Sequence, residues 1–306
     1  MAKYILKRVV AAILTIWVLI TIVFFLVRLM PGEPFTSAKL TPEVKANMES
    51  YYGFDKPMIV QYGTYMANLL HGDFGYSMKY TNRTVNDLIG ETFPYSADLG
   101  IRGLVMAVSI GLVLGIISAR NRGKKIDFVC VIIAVLGTSI PDFIMGAVLQ
   151  YFFGIKWGLF PVARYEGIKY TILPAFALSF YTLASVSRIM RASMLEVTSQ
   201  DYIKTAKSKG LSDLRITCKH QIRNAIMPVM TVMGPTVASV LTGTFVIESI
   251  FAIPGMGRHY VQSVSNNDYS MVLGMTVFYG IFLVLCNLIV DVLYGVADPR
   301  VRIGKK

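Results

Sequence analysis

Residues 9–27 read VVAAILTIWVLITIVFFLV, a run without one charged side chain. A helix of about 20 such residues, rising 1.5 Å each, is long enough to cross the hydrocarbon core of a bilayer. A helix apolar on every side has to be surrounded by protein or by lipid. Five more apolar runs follow, over residues 95–119, 126–153, 170–190, 228–247 and 271–296. Inside lipid every backbone polar group has to be paired internally, so long apolar runs of this kind are read as helices. The expected fold class is an all-α membrane protein with six transmembrane helices. Composition agrees, because only 16% of the 306 residues are charged, against about a quarter in a soluble domain.

The polar residues between the runs set the orientation. Lys3, Lys7 and Arg8 precede the first run. That run ends in Arg28 and Pro31 and has no small-residue cleavage site, so it is expected to be an uncleaved span. Basic clusters also occupy residues 120–125, 188–223 and 300–306. These four segments hold 19 of the 30 Lys and Arg, whereas residues 32–94 carry five bases against seven acids. The asymmetry predicts cytoplasmic termini. The loop 154–169, with three bases and one acid, runs against the trend. A net charge of +12 therefore reads as cytoplasmic loops. No basic patch is interleaved with exposed aromatics, which argues against nucleic acid as a partner.

Three units are expected: residues 1–31 with the first span, an extracytoplasmic segment over 32–94, and a core over 95–306. In the outer segment Thr41-Pro42-Glu43 has the form of a helix start. Residues 58–70 are amphipathic, and residues 71–77, HGDFGYS, form a turn-rich loop. In the second span Gly111 and Gly115 make a GxxxG, which lets another helix approach closely. Pro141 should kink or break the third span. Residues 248–270 are expected as an outer loop.

Residues 201–229 lie between two apolar runs yet carry six bases and two acids. Ser199 is placed to cap a short helix, with Asp201 favouring its positive end. Gly210 is placed to end that helix in a left-handed turn. A second helix starts near Ser212, with Leu214, Cys218, Ile222, Ala225 and Ile226 as its apolar stripe. One reading is a linker lying on anionic lipid. The other is a helix docked in a groove of a soluble partner, with the small residues Thr205, Ala206 and Gly210 allowing close approach.

No catalytic chemistry stands out. The three cysteines, Cys130, Cys218 and Cys286, form no CxxC pair and read as small buried hydrophobes. There is no GxxxxGK[ST] for a nucleotide and no HExxH for a metal, and His71, His220 and His259 are far apart. Neither an enzyme nor a resident cofactor is expected. Charges within spans usually face protein or water. Asp98 and Arg102 are spaced to pair on one helical face. Asn287 and Asp291 share another face, at an interface or along a pathway. Asp142, next to Pro141, is expected to face a cavity or a partner.

Several motifs together carry a resemblance. Tyr202-Ile-Lys-Thr-Ala206-Lys-Ser-Lys-Gly210-Leu211, followed by Arg223-Asn-Ala-Ile-Met-Pro228-Val, resembles the cytoplasmic coupling loop of ABC-importer permeases of the oligopeptide, dipeptide and nickel family. Residues 1–34 resemble that family's first span. Asp55-Lys-Pro57, Gln61-Tyr62 and Gly72-Asp73-Phe-Gly75-Tyr-Ser77 match its outer segment. Glu248-Ser-Ile-Phe251 with Pro254-Gly255-Met-Gly257 matches its last outer loop, and Asp291-Val-Leu-Tyr294 with Asp298-Pro299-Arg300 matches its end. Within the family the chain is most similar to the B-type subunit of oligopeptide importers. One departure is Lys204-Thr205-Ala206, where the general consensus has Glu-Ala-Ala.

The resemblance implies a type I importer permease fold in the cell membrane of a prokaryote. It implies a coupling loop over residues 191–227, with Asp201, Tyr202, Thr205, Ala206, Gly210 and Leu211 at its centre. It also implies an outer-loop motif of Glu248, Pro254, Gly255 and Gly257. The implied partners are a second homologous permease forming a heterodimer, two cytoplasmic ATPases holding ATP and magnesium, and an extracytoplasmic peptide-binding protein. The implied cargo is an oligopeptide moved by alternating access. Nickel, dipeptides or another solute remain alternatives on the same architecture. An ATP-independent channel or secondary carrier is the alternative from another class.

Overall fold

The protein is described from a computed structural model, which covers residues 2–29, 50, 53–80, 83–241 and 245–297. The helix start at Thr41-Pro42-Glu43 and the motif Asp298-Pro299-Arg300 lie outside the described residues. Helix α1 spans Ala2–Arg28, α2 spans Met58–Leu70 and α3 spans Val85–Arg120. Helix α4, Lys125–Ser139, is followed by α5, Asp142–Leu149, which runs into a wider π turn over Gln150–Lys156. Next come α6, Ile168–Thr198, and α7, Asp201–Ser208. The strut after α7 consists of α8, Asp213–Ile216, a π turn over Thr217–Gln221, and α9, Ile222–Ala225. Last are α10, Met227–Leu241, α11, Phe245–Ile250, α12, Met256–Ser265, and α13, Tyr269–Ala297. No strand forms among the described residues; one antiparallel bridge joins Tyr76 to Thr84.

Five segments are long and apolar enough to cross a membrane: Ile5–Arg28, Val85–Arg120, Ile168–Thr198, Met227–Ile250 and Tyr269–Val292. The third apolar run is instead a bent pair, α4 and α5, with 109° between its halves. Pro141 is the cause. It cannot donate to the carbonyl one turn back, and it pushes Ile140 into an extended conformation, ψ 121°. Six apolar runs thus give five segments that pass as spans on length and composition and one bent pair.

Helix α3 starts ten residues before the apolar run, inside the segment read as purely extracytoplasmic. Its start is written in Thr84 and Asp87, a reciprocal capping box. The helix continues through Pro94, so a boundary at 94/95 falls within a single element. The centre of the fold is α3 against α6. Added Cβ atoms on Gly111 and Gly115 would lie 2.7 Å from Leu183 O and from Met190 Cβ, respectively. The GxxxG is therefore what brings these two backbones together. Helix α13 packs between α1 and α10. Residues 248–270 are not a loop throughout, because Met256–Ser265 is helical.

Candidate functional site

The basic segment forms a compact angle bracket at one end of the bundle. Ser199 does not open α7: its hydroxyl donates to Glu196 O at 2.7 Å and closes α6, while Gln200 takes the N-cap position. Gly210 ends α7 as its sequence position suggests, with φ +72°. Gly210 N donates to Lys207 O at 2.9 Å and Leu211 N to Ala206 O at 3.3 Å. This is the two-bond Schellman termination, completed by apolar contact of Leu211 with the cluster of Ile203, Ala206 and Ile216. Ala206 is 6% exposed, so its small side chain fits α7 onto the strut of its own chain. The face left open carries Asp201, Tyr202, Lys204 and Thr205. Lys204 pairs with Asp201 at 2.9 Å on that exposed face.

The strut's buried stripe differs from the expected one. Leu214 and Cys218 are exposed, and Ile216, Thr217, Gln221 and Ala225 are buried. The π turn over Thr217–Gln221 widens the helix and changes which residues face inward. Two polar residues, Thr217 and Gln221, then occupy that face, and Gln221 finds a partner there: its Nε2 donates to Thr198 Oγ1 at 2.9 Å. Asn224 Nδ2 also donates to Tyr202 Oη at 3.1 Å. Ala225 and Val229 pack on Val186, Met190 and Met194 of α6. The bracket is therefore tied to both α6 and α10. Of the cysteines, Cys130 and Cys286 are buried and Cys218 is not.

A second clamp, unnoticed in the sequence, steadies α6 just ahead of the bracket. Arg191 Nε and Nη2 donate to the two oxygens of Asp127 at 2.8 and 2.9 Å. Ser118 Oγ and Gly123 N add bonds of 2.5 and 2.9 Å. The carboxylate is buried and joins the α3–α4 turn to α6. Asp127→Ala should cost about 3 kcal/mol, because Arg191 then loses its anion. A lowered melting temperature of the detergent-solubilised protein checks this.

At the opposite end, the outer-loop motif closes on Glu248, which has no exposed surface. Ser96 Oγ donates to Glu248 Oε1 at 2.6 Å and Gly257 N to Oε2 at 2.9 Å. Met256 N donates to Ser96 Oγ at 2.9 Å. A carboxyl thus sits against the first turn of α12, where unpaired amide groups favour it. Gly255 must lack a side chain, since a Cβ there would be 2.3 Å from the Glu248 carboxyl carbon. Pro254 is exposed and precedes the helix. The loop of residues 71–80 is fixed by Asp268, which has no exposed surface and which the sequence did not single out. Asp268 accepts from Ser77 Oγ and from Met78 N, the latter at 3.1 Å, and caps α13 through Met271 N at 3.1 Å.

The charges within spans separate into different places. Arg102 Nε donates to Asp98 at 2.7 Å, and Tyr165 Oη donates to the same carboxylate. Burial first, and then that bond, pushes the Tyr165 phenol up to about 12. Asp291 pairs with Arg8 at 2.8 Å, and Asn287 Oδ1 packs on Gly234; both lie where α1, α10 and α13 meet. Asp142 stands apart from them at the α4–α5 break. It lines a cavity of about 420 Å³ with Thr138, Ser139, Tyr181 and Val246.

Residues 111–303 match the model of the family described as "Binding-protein-dependent transport system inner membrane component". Residues 1–100 match the corresponding N-terminal model. The chain belongs to this transport-component family.

Relatives of the family agree over the whole length. The dipeptide transport system permease protein DppB of Bacillus subtilis is 46% identical, with all of both chains covered. The oligopeptide transport system permease protein OppB of Haemophilus influenzae is 43% identical over 99% of this chain and all of its own. A crystal structure of an amino acid ABC transporter with histidines has a TM-score of 0.54 at 16% identity, covering 68% of this chain and 94% of that one. That likeness supports the fold. The chain is thus a multi-pass inner membrane component of a binding-protein-dependent transport system.

Proposed function

We propose that the chain is the permease subunit of an ATP-driven peptide importer, lining half of the translocation pathway. The observation that carries this is the bracket. A short helix with an exposed polar face is clipped through Gly210 to a strut that continues into a membrane span, so a push on one end reaches the other. Two cytoplasmic ATPases would grip the face of Asp201, Tyr202 and Thr205. A second, homologous permease would complete the pathway, and an extracytoplasmic binding protein would deliver the peptide. The N- and C-termini then lie in the cytoplasm, a placement that the distribution of basic residues supports. ATP binding would favour one arrangement of the bracket over the other and so alternate the access of the cavity.

The OppB relative favours oligopeptides as cargo, and the DppB relative favours dipeptides. The Asp142 cavity is assigned to the pathway, because a carboxylate at that depth has to face water or protein and peptides carry an ammonium group. Affinity purification in mild detergent is expected to bring down two ATPases and a second permease. Reconstituted with the binding protein, the complex should import labelled peptide only with ATP. Asp142→Asn should lower that uptake about tenfold, which corresponds to about 1.4 kcal/mol, with the complex still assembled. An active homo-oligomer without ATPases would favour a secondary carrier instead.

A further inference from the structure

Arg28 ends the first span, and its guanidinium is stacked between two rings. Its Cζ is 5.0 Å from the centre of Phe24 and 4.3 Å from that of Phe54. Rings of this kind attract the cation but do not neutralise it. Arg28 Nε is buried and has no hydrogen-bond partner among the described residues. Two more buried polar atoms share that condition close by, Gln61 Oε1 and Tyr65 Oη. All three residues line one cavity of about 260 Å³, with Lys56 and Asp73 also on its wall. No ion pair among the described residues joins Arg28 to Asp73. Buried polar groups are paired in the great majority of cases, so three atoms without a partner among the described residues, on the wall of one cavity, point to a polar ligand.

Their chemistry describes that ligand. Arg28 Nε is a donor bearing charge. Tyr65 Oη is a donor as well, since burial, reinforced by Asp73, raises its phenol far above physiological pH. The Gln61 amide already gives its Nε2 to Lys56 O at 2.8 Å, leaving Oε1 as an acceptor. Two donors with a positive charge suit an oxyanion, and a neighbouring acceptor with the Asp73 carboxylate suits an ammonium. Depth narrows the choice. The span Ile5–Arg28 has 24 residues, about 36 Å at 1.5 Å each, which exceeds the ~30 Å hydrocarbon core. Arg28 therefore lies at the headgroup level of the outer leaflet. Next to it Ile22 and Leu26 of α1, and Leu29 just after it, are exposed, a surface fit for acyl chains.

We propose that this cavity binds the headgroup of one phospholipid, its phosphodiester on Arg28 and Tyr65 and its ammonium on Gln61 and Asp73. The lipid would pin α1 and α2 to the outer start of α13, where Tyr269 lines the same wall. The site is separate from the bracket, and its place in the outer leaflet rests on the cytoplasmic N-terminus of the proposed function.

The test uses the complex purified in mild detergent from vesicles of phosphatidylethanolamine and phosphatidylglycerol in equal parts. Native mass spectrometry counts the phospholipid retained after delipidation. The wild-type chain should keep one phosphatidylethanolamine, and Arg28→Gln should lower its occupancy about tenfold, the loss of one charged hydrogen-bonded contact. Should Arg28→Gln fail to assemble, Tyr65→Phe, which removes a single oxygen, carries the test and should lower retention several-fold. Excess inorganic phosphate should leave the lipid in place; displacement would assign the cavity to a free oxyanion and overturn the proposal. Equal retention by wild type and variants would overturn it too. So would an unchanged lipid count with weakened capture of the binding protein, which would give Arg28 to a protein carboxylate.

Discussion

Gly255→Val is expected to leave no working transporter. The Cβ alone would lie 2.3 Å from the Glu248 carboxyl carbon and 2.4 and 2.5 Å from its two oxygens. Glu248 has nowhere to retreat, being fully buried and held by Ser96 and by the first turn of α12. Overpacking of this kind costs about 1–3 kcal/mol, and a displaced carboxyl left without partners costs about as much again. The sum is a large share of a protein's usual stability margin. Uptake of labelled peptide should fall to background, and the detergent-solubilised complex should melt well below wild type. Glu248→Gln keeps the shape and can still accept through one oxygen, so it should fall between the two. A Gly255→Val complex that melts and transports like wild type would mean that the loop and Glu248 do not meet as described.

The second large effect is at the bracket. Gly210 sits at φ +72°, a region where a β-branched residue is strained by about 1–2 kcal/mol or more. Gly210→Val would break the two-bond termination and free α7 from the strut. Ala206→Trp would force a large ring into the space shared with Ile203, Ile216 and Leu211. Both variants should assemble and hydrolyse ATP yet import nothing. The ratio of peptide imported to ATP consumed in proteoliposomes is the quantity to read. Gly210→Asn is the control, because asparagine tolerates the left-handed conformation, and it should keep most transport. Uptake by Gly210→Val at the wild-type ratio would remove the bracket from the mechanism.

Much of this molecule is legible in its sequence, for reasons that differ from place to place. Spans show because lipid allows no unpaired backbone, so long apolar runs have one outcome. Gly210 shows because few other residues can end a helix in that conformation. The pairing of Asp98 with Arg102 shows because their spacing is local. Contacts between distant segments do not show in this way. Asp268 meets Ser77, and Asp127 meets Arg191, only once the spans have packed. The early start of α3 was hidden by Pro94 and by acidic residues, although Thr84 and Asp87 spell its cap. The strut's register was lost to a π turn, which no periodicity based on 3.6 residues foresees. Its buried face includes Thr217 and Gln221, polar residues that a search for an apolar stripe passes over.

In the proposed function α7 is the handle through which a nucleotide-driven partner moves this protein. A photoreactive side chain at Thr205, on the exposed face of α7, tests it most directly in the assembled complex during turnover. An adduct with the ATPase subunit is expected, at a yield that changes between ATP-bound and nucleotide-free states. Adducts with lipid alone in every state, or labelling of position 205 by an impermeant reagent added outside the cell, would contradict it.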